Sequence, residues 1–244
     1  NSLSLKTTKE TIGAKPTIGA KPTMAKLLTL FLASTFLMAC SDDKHVAKVA
    51  YEVEIVNLTN NQPFSPLALR AHSASYSAWT IGESASLGIE HIAESGDNSE
   101  FLGTASSKKS ASGTGIIAPG DTAVIGLNSK VTDLYLTAVT MLVNTNDAFA
   151  GITGLNLSNM QVGDNTVVYL PVYDAGTEAN DELAGTIPGP ADGGTGFDAA
   201  RNDVDFVAMH PGVVSMDDSY TESVLDGSHK FDGPAAMLTI TRVN

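Results

Sequence analysis

Two stretches of this chain alternate apolar and polar side chains with a period of two. Tyr51-Glu-Val-Glu-Ile-Val56 does so in the first half, and Ala236-Met-Leu-Thr-Ile-Thr-Arg-Val243 does so near the other end. Successive side chains of a β-strand point to opposite faces, so each reads as a strand with one face in a core and one in water. Leu134 to Val143 is more apolar and shows no alternation, the pattern of a central strand buried on both faces. Residues 122–127, 167–172 and 204–210 supply three more strands, with Pro171 placing the end of the second at an edge or a bend. Ala85 to Glu94 has no strand alternation and sets Ala85, Ile89 and Ile92 on one helical face, which predicts a short helix. Residues 57–66, 95–115 and 174–203 are loops by their Gly, Pro, Ser and Asp content, and the last is long enough to be either functional or disordered. Short strands joined by such loops, with little helix, predict an all-β sandwich.

The chain has a single cysteine. It closes the run Met24-Ala-Lys26-Leu-Leu-Thr-Leu-Phe-Leu-Ala-Ser-Thr-Phe-Leu37-Met38-Ala39-Cys40. One Lys, an apolar stretch of about a dozen residues and then small residues form the layout of a secretory signal peptide. A bilayer-spanning helix needs roughly 20 apolar residues, and this run falls short of that. Leu37-Met38-Ala39-Cys40 resembles the lipobox of bacterial lipoproteins. That resemblance implies acylation of Cys40, with palmitate among the chains attached, and removal of residues 24–39. Ser41 after the cysteine implies the outer membrane by the sorting pattern of enterobacterial lipoproteins. Residues 1–23 contain a tandem Thr-Ile-Gly-Ala-Lys-Pro repeat, precede a good start at Met24, and read as an upstream segment. The expected organisation is therefore 1–23 upstream, 24–39 signal peptide, 40–48 lipidated tether and 49–244 one sandwich domain.

Residues 1–39 hold five Lys and one Glu, which leaves 9 basic and 26 acidic residues in 40–244 and a net charge of −17 there. So acidic a surface repels nucleic acid, and no nucleic-acid partner is expected. With Cys40 acylated no disulfide can form, so packing or a bound ion must hold the domain.

Carboxylates stand where strands end. Asp147 follows the apolar strand in Asn144-Thr-Asn-Asp147-Ala-Phe-Ala-Gly151, and Asp174 and Glu178 follow the next strong one in Tyr173-Asp174-Ala-Gly-Thr-Glu178. Carboxylates gathered at one end of a sandwich repel one another unless a cation lies among them. Hard oxygen donors of this kind suit Ca²⁺, which takes six to eight oxygens at about 2.3–2.6 Å. By residue type alone the metal signal is weak, and solvated acidic loops are the better account of the pattern. Other chemistry has less behind it. The five histidines show no paired metal spacing, and no Gly-x-Ser-x-Gly elbow is present. His210-Pro211-Gly212 reads as a structural turn. Trp79 with Tyr76 reads as a loop packed on the sandwich, with a sugar-stacking platform as the alternative.

Tyr51-Glu-Val-Glu-Ile-Val-Asn-Leu-Thr59, Ala85-Ser-Leu-Gly-Ile-Glu-His-Ile-Ala-Glu94, Asn146-Asp-Ala-Phe-Ala-Gly151 and Tyr173-Asp-Ala-Gly-Thr-Glu178 together resemble the spondin N-terminal domain of F-spondin and mindin, over roughly residues 49–243. The resemblance implies an antiparallel β-sandwich, a variant of the C2 fold, holding one Ca²⁺ in loops at one end. It places the ligands on Asp147, Asp174 and Glu178. The family's aromatic after the first Asp is Ala148 here, its final Asp is Glu178, and the cysteines that flank these motifs in animals are missing. The function implied is a lipid-anchored envelope module that binds calcium and a glycan or protein partner, and is not an enzyme. The alternatives are an envelope hydrolase acting on polysaccharide and a purely structural envelope protein.

Overall fold

The computed structural model describes residues 47–103, 105 and 109–244. The described residues all belong to one compact unit. The expected upstream segment, the expected signal peptide, Cys40 and most of the expected tether lie outside the described residues. Among those described, no helix is long and apolar enough to cross a membrane.

Two antiparallel sheets face each other. The first has four strands, β4 (Thr122–Lys130), β1 (Lys48–Asn57), β10 (Ala236–Arg242) and β7 (Asn165–Leu170), in that order. The two alternating stretches are thus hydrogen-bonded neighbours at its centre, with Val53 opposite Ile240. Val49, Tyr51, Val53 and Ile55 point inward, and Glu54 lies on the other face. The second sheet has six strands, β3 (Ser110–Ser112), β2 (Ala68–His72), β5 (Tyr135–Met141), β6 (Ala148–Asn156), β8 (Val172–Asp174) and β9 (Ala208–Met209). Leu136, Ala138 and Leu142 face the first sheet, while Val139, Met141 and Val143 face away into a second apolar cluster. That cluster is roofed by α1 (Leu87–Ser95) through Ile89, Ile92 and Ala93. β5 is therefore covered on both faces, and this explains its unbroken apolar run.

Ser86 starts α1 by accepting from the Ile89 amide, and Gly96 ends it in the left-handed conformation at φ 70°. Trp79 is buried edge-on to Phe149 (5.1 Å) and Tyr173 (5.4 Å), so it is a core residue and offers no stacking face.

Several elements differ from the sequence reading. The expected strand 204–210 shrinks to the two residues of β9, because only those pair with β8 at the sheet edge. The expected strand 167–172 is two strands, broken at Pro171, which cannot donate to a ladder, and each half pairs in a different sheet. The 95–115 loop holds one helical turn, α2 (Ser99–Gly103), and the edge strand β3. β2 and β6 are strands that the sequence reading did not mark.

Candidate metal centre

β6 runs antiparallel to β8, with Ala148 opposite Asp174. The start of one strand therefore lies beside the end of the other, and this brings Asp147 and Asp174 to the same end of the six-stranded sheet. The β5–β6 turn carrying Asp147 is itself buried from Asn144 to Asp147. Its backbone is held from within and from outside: the Thr145 hydroxyl donates to the Leu142 carbonyl at 2.6 Å and accepts from the Ala148 amide at 3.1 Å, while the Gln62 side chain accepts from the Asn144 amide and donates to its carbonyl, both at 3.1 Å.

After β8 the chain turns through Gly176, whose φ is 70°. The turn aims the amides of Thr177 (2.8 Å) and Glu178 (3.1 Å), together with the Thr177 hydroxyl (3.2 Å), at one oxygen of Asp147, Oδ2. Oδ1 of the same carboxylate is buried and has no hydrogen-bond partner. Asp174 is held differently, since Oδ1 accepts from the Gly176 amide at 2.7 Å and Oδ2 from Asn180 Nδ2 at 2.6 Å. Glu178 has a buried, unpartnered oxygen of its own, Oε2.

A fourth carboxylate belongs to this group and was not marked in the sequence. Glu94, on the last turn of α1, is fully buried. Its Oε2 accepts from the Asp198 amide at 2.9 Å, and its Oε1 has no partner. The Thr177 hydroxyl also lies near Glu94, and its hydrogen bond of good geometry goes to Asp147 Oδ2 at 3.2 Å. One turn earlier on the same helix, Glu90 is also buried, and there the charge is matched by the Arg201 guanidinium. In sequence the two glutamates look alike. Only the loop that returns across the helix distinguishes them.

The electrostatics reflect burial first and carboxylate repulsion second. Burial, and then the neighbouring Asp174 carboxylate, push Asp147 up to about 7 against the hydrogen bonds that pull it down. Burial, then Glu94 and Asp147, push Glu178 up to about 8. Burial also raises Glu94 and takes Glu182 to about 7. Among the described residues, no three His, Cys, Asp or Glu side chains are gathered closely enough to hold a metal ion as they stand. What the site does present is three buried carboxylate oxygens without donors, on Asp147, Glu178 and Glu94. An orphaned buried oxygen is costly, and a cation is one partner that satisfies several at once.

The family model described as Spondin_N matches residues 56–182. The chain belongs to the Spondin_N family. The matched span includes Glu94, Asp147, Asp174, Glu178 and Asn180. It ends before Arg201, His210 and β10, so part of the scaffold around the site lies outside the Spondin_N match. Among curated proteins, none matches the chain.

The raised carboxyls fix the sign of a pH dependence. The unfolded chain releases these protons near the ordinary values of 3.8 and 4.5, whereas folded Asp147, Glu178 and Glu182 hold them to about 7, 8 and 7. Between those limits the native state binds more protons than the unfolded one, so stability falls as pH rises and levels off above about 8. Each proton held only by the native state contributes a slope of about 1.4 kcal/mol per pH unit. In EDTA the melting temperature is expected to drop from pH 5 to pH 8, and Asp147→Asn should flatten that drop. A melting temperature that rises over this range contradicts the assignment.

Proposed function

We propose that this Spondin_N chain is an exported, lipid-anchored binding module of the bacterial cell envelope that uses one Ca²⁺ to order the loops at one end of its sandwich. The observation that carries the cation reading is the set of three donorless buried oxygens on Asp147, Glu178 and Glu94. Asp147 and Glu178 would hold the ion with Asp174, and Glu94 stands ready as an additional oxygen donor. All-oxygen, carboxylate-rich donors are the chemistry that Ca²⁺ prefers. When bound, the ion supplies the positive charge that these carboxylates lack and ties together the loops that carry them. Drawing Glu178 and Glu94 together takes rotation about their own side-chain bonds, while Asp147 is already fixed through Oδ2 and Asp174 through both oxygens.

The role that follows is presentation of an ordered surface to a glycan or protein, with no catalysis assigned to it. The acidic charge argues against nucleic acid as partner. Anchoring rests on Leu37-Met38-Ala39-Cys40, with Ser41 pointing to the outer membrane.

Two measurements test the two halves. Calorimetric titration of the full chain is expected to show one Ca²⁺ bound, with binding lost in Asp147→Ala. Absence of binding by the wild type refutes the cation half. For the anchor, mass spectrometry of protein from the membrane fraction is expected to find an N-terminal acylated Cys40, and Cys40→Ala to move the protein to the soluble fraction. An unmodified cysteine on a wild-type chain that remains soluble refutes the anchor half.

A further inference from the structure

Asp174 differs from its neighbours in having both oxygens engaged, and one of its donors is itself held by a residue from outside the family match. Asn180 Nδ2 donates to Asp174 Oδ2 at 2.6 Å, and Asn180 Oδ1 lies 3.0 Å from His210 Nε2. The other ring nitrogen, His210 Nδ1, accepts from the Gly212 backbone amide at 3.0 Å. That last contact decides the polarity of the whole series. A backbone N–H can only donate, so Nδ1 is bare and the ring proton sits on Nε2. Nε2–H then donates to Asn180 Oδ1, which leaves the Asn180 amide nitrogen, a donor only, facing the carboxylate. Every proton position follows from one amide.

His210 is well held for this role. Its own amide donates to the Val172 carbonyl on β8 at 3.1 Å, and its ring packs against Phe231 at 5.2 Å. Burial pushes the imidazole down to about 4, so the ring stays neutral near pH 7. A doubly protonated ring would set Nδ1–H against the Gly212 N–H.

We propose that Gly212, His210 and Asn180 form a directed hydrogen-bond relay that fixes the orientation of Asp174 for cation binding, with Asn180 and His210 as positioning residues. The inference rests on the calcium reading above. It assigns to the His210-Pro211-Gly212 turn a task that its sequence does not announce. The relay also links the cation end of the sandwich to the turn after β9, and so to chain beyond the Spondin_N match. Partners that orient a ligating carboxylate typically contribute ten- to a hundredfold in metal affinity when removed.

The test is Ca²⁺ titration of the full chain in four variants, together with ¹⁵N NMR of the histidine rings in the cation-free wild type. Asn180→Ala is expected to weaken Ca²⁺ about ten- to a hundredfold. His210→Ala should weaken it less. His210→Gln, whose amide nitrogen reaches the place of Nε2, should restore it, while His210→Asn, whose amide reaches only the place of Nδ1, should not. The His210 ring should show a protonated Nε2 and a bare Nδ1 from pH 5 to pH 8. Wild-type affinity in Asn180→Ala, equal losses in His210→Gln and His210→Ala, or a protonated Nδ1 overturns the relay while leaving the calcium site standing. A wild-type chain that binds no Ca²⁺ overturns both.

Discussion

Arg201→Ala is expected to destabilise the domain by about 3–5 kcal/mol, the range for leaving a buried charge without its partner. The Arg201 guanidinium grips Glu90 through two nitrogens, with Nε 3.1 Å from Oε1 and Nη2 on Oε2, and Nη2 also donates to the Ala85 carbonyl at 2.8 Å. The Glu90 side chain is only 4% exposed, against 26% for Arg201, so the carboxylate cannot turn out to water when the cation is removed. A second arm, Nη1, holds Asp205 four residues on in the same loop, and the grip on Glu90 clamps that loop to α1. The Glu90→Gln, Arg201→Ala double variant should recover much of the loss, because the stranded charge is then gone. Chemical denaturation measures both. A loss under 1 kcal/mol in the single variant would mean that the pair behaves as an exposed one.

Gly176→Ala is expected to cost about 2–5 kcal/mol and to abolish the proposed cation binding with it. Two effects add at this position. The residue sits at φ 70°, where a side chain is strained by about 1–2 kcal/mol. A Cβ there would also lie 2.3 Å from the Phe206 carbonyl oxygen, a backbone atom that cannot swing aside. Overpacking of this kind adds about 1–3 kcal/mol. The shift would also pull the Thr177 and Glu178 amides off Asp147. Gly185→Ala is the control: φ is 92°, but no atom lies within 4 Å of the new Cβ. It should show the conformational strain alone. Equal losses at the two glycines would contradict the role assigned to the close approach.

The parts of the fold that were legible in the sequence are those in which a single segment carries its own signal. β1 and β10 alternate because one face of their sheet is wet, and β5 is uniformly apolar because α1 covers its second face. β6 was not legible. Ala148-Phe-Ala-Gly-Ile-Thr-Gly154 mixes small residues that fit a crowded interior, where Gly151 lies against the Trp79 ring, so its composition resembles that of a loop. Val204–His210 misled in the opposite direction, since apolar content there serves packing of Val207 against the second cluster and does not serve pairing.

The same division holds at the site. Asp147, Asp174 and Glu178 stand in short motifs at strand ends and can be found by reading along the chain. Glu94, Asn180 and His210 cannot, because each depends on what a distant segment places beside it. For Glu94 that segment is Asp198, and for Asn180 it is the turn at Gly212. The Glu90–Glu94 spacing puts two acids a helical turn apart on a helix with a buried face, and that was the one local hint available.

On the proposed reading, the donorless oxygens on Asp147, Glu178 and Glu94 meet a cation. The most direct measurement is a thermal melt of the full chain at pH 7.5 in EDTA, in Ca²⁺ and in Mg²⁺, beside Asp147→Asn. With Ca²⁺ at about 100 times its dissociation constant, the wild type should gain about 2.7 kcal/mol, seen as a clear rise in melting temperature that Mg²⁺ does not match. Asp147→Asn keeps the shape of the side chain and removes one repelling charge. It should therefore melt higher than the wild type in EDTA and show no response to Ca²⁺. A wild type indifferent to Ca²⁺, or a variant that responds equally, would mean that these carboxyls simply hold their protons and that the site serves the fold alone.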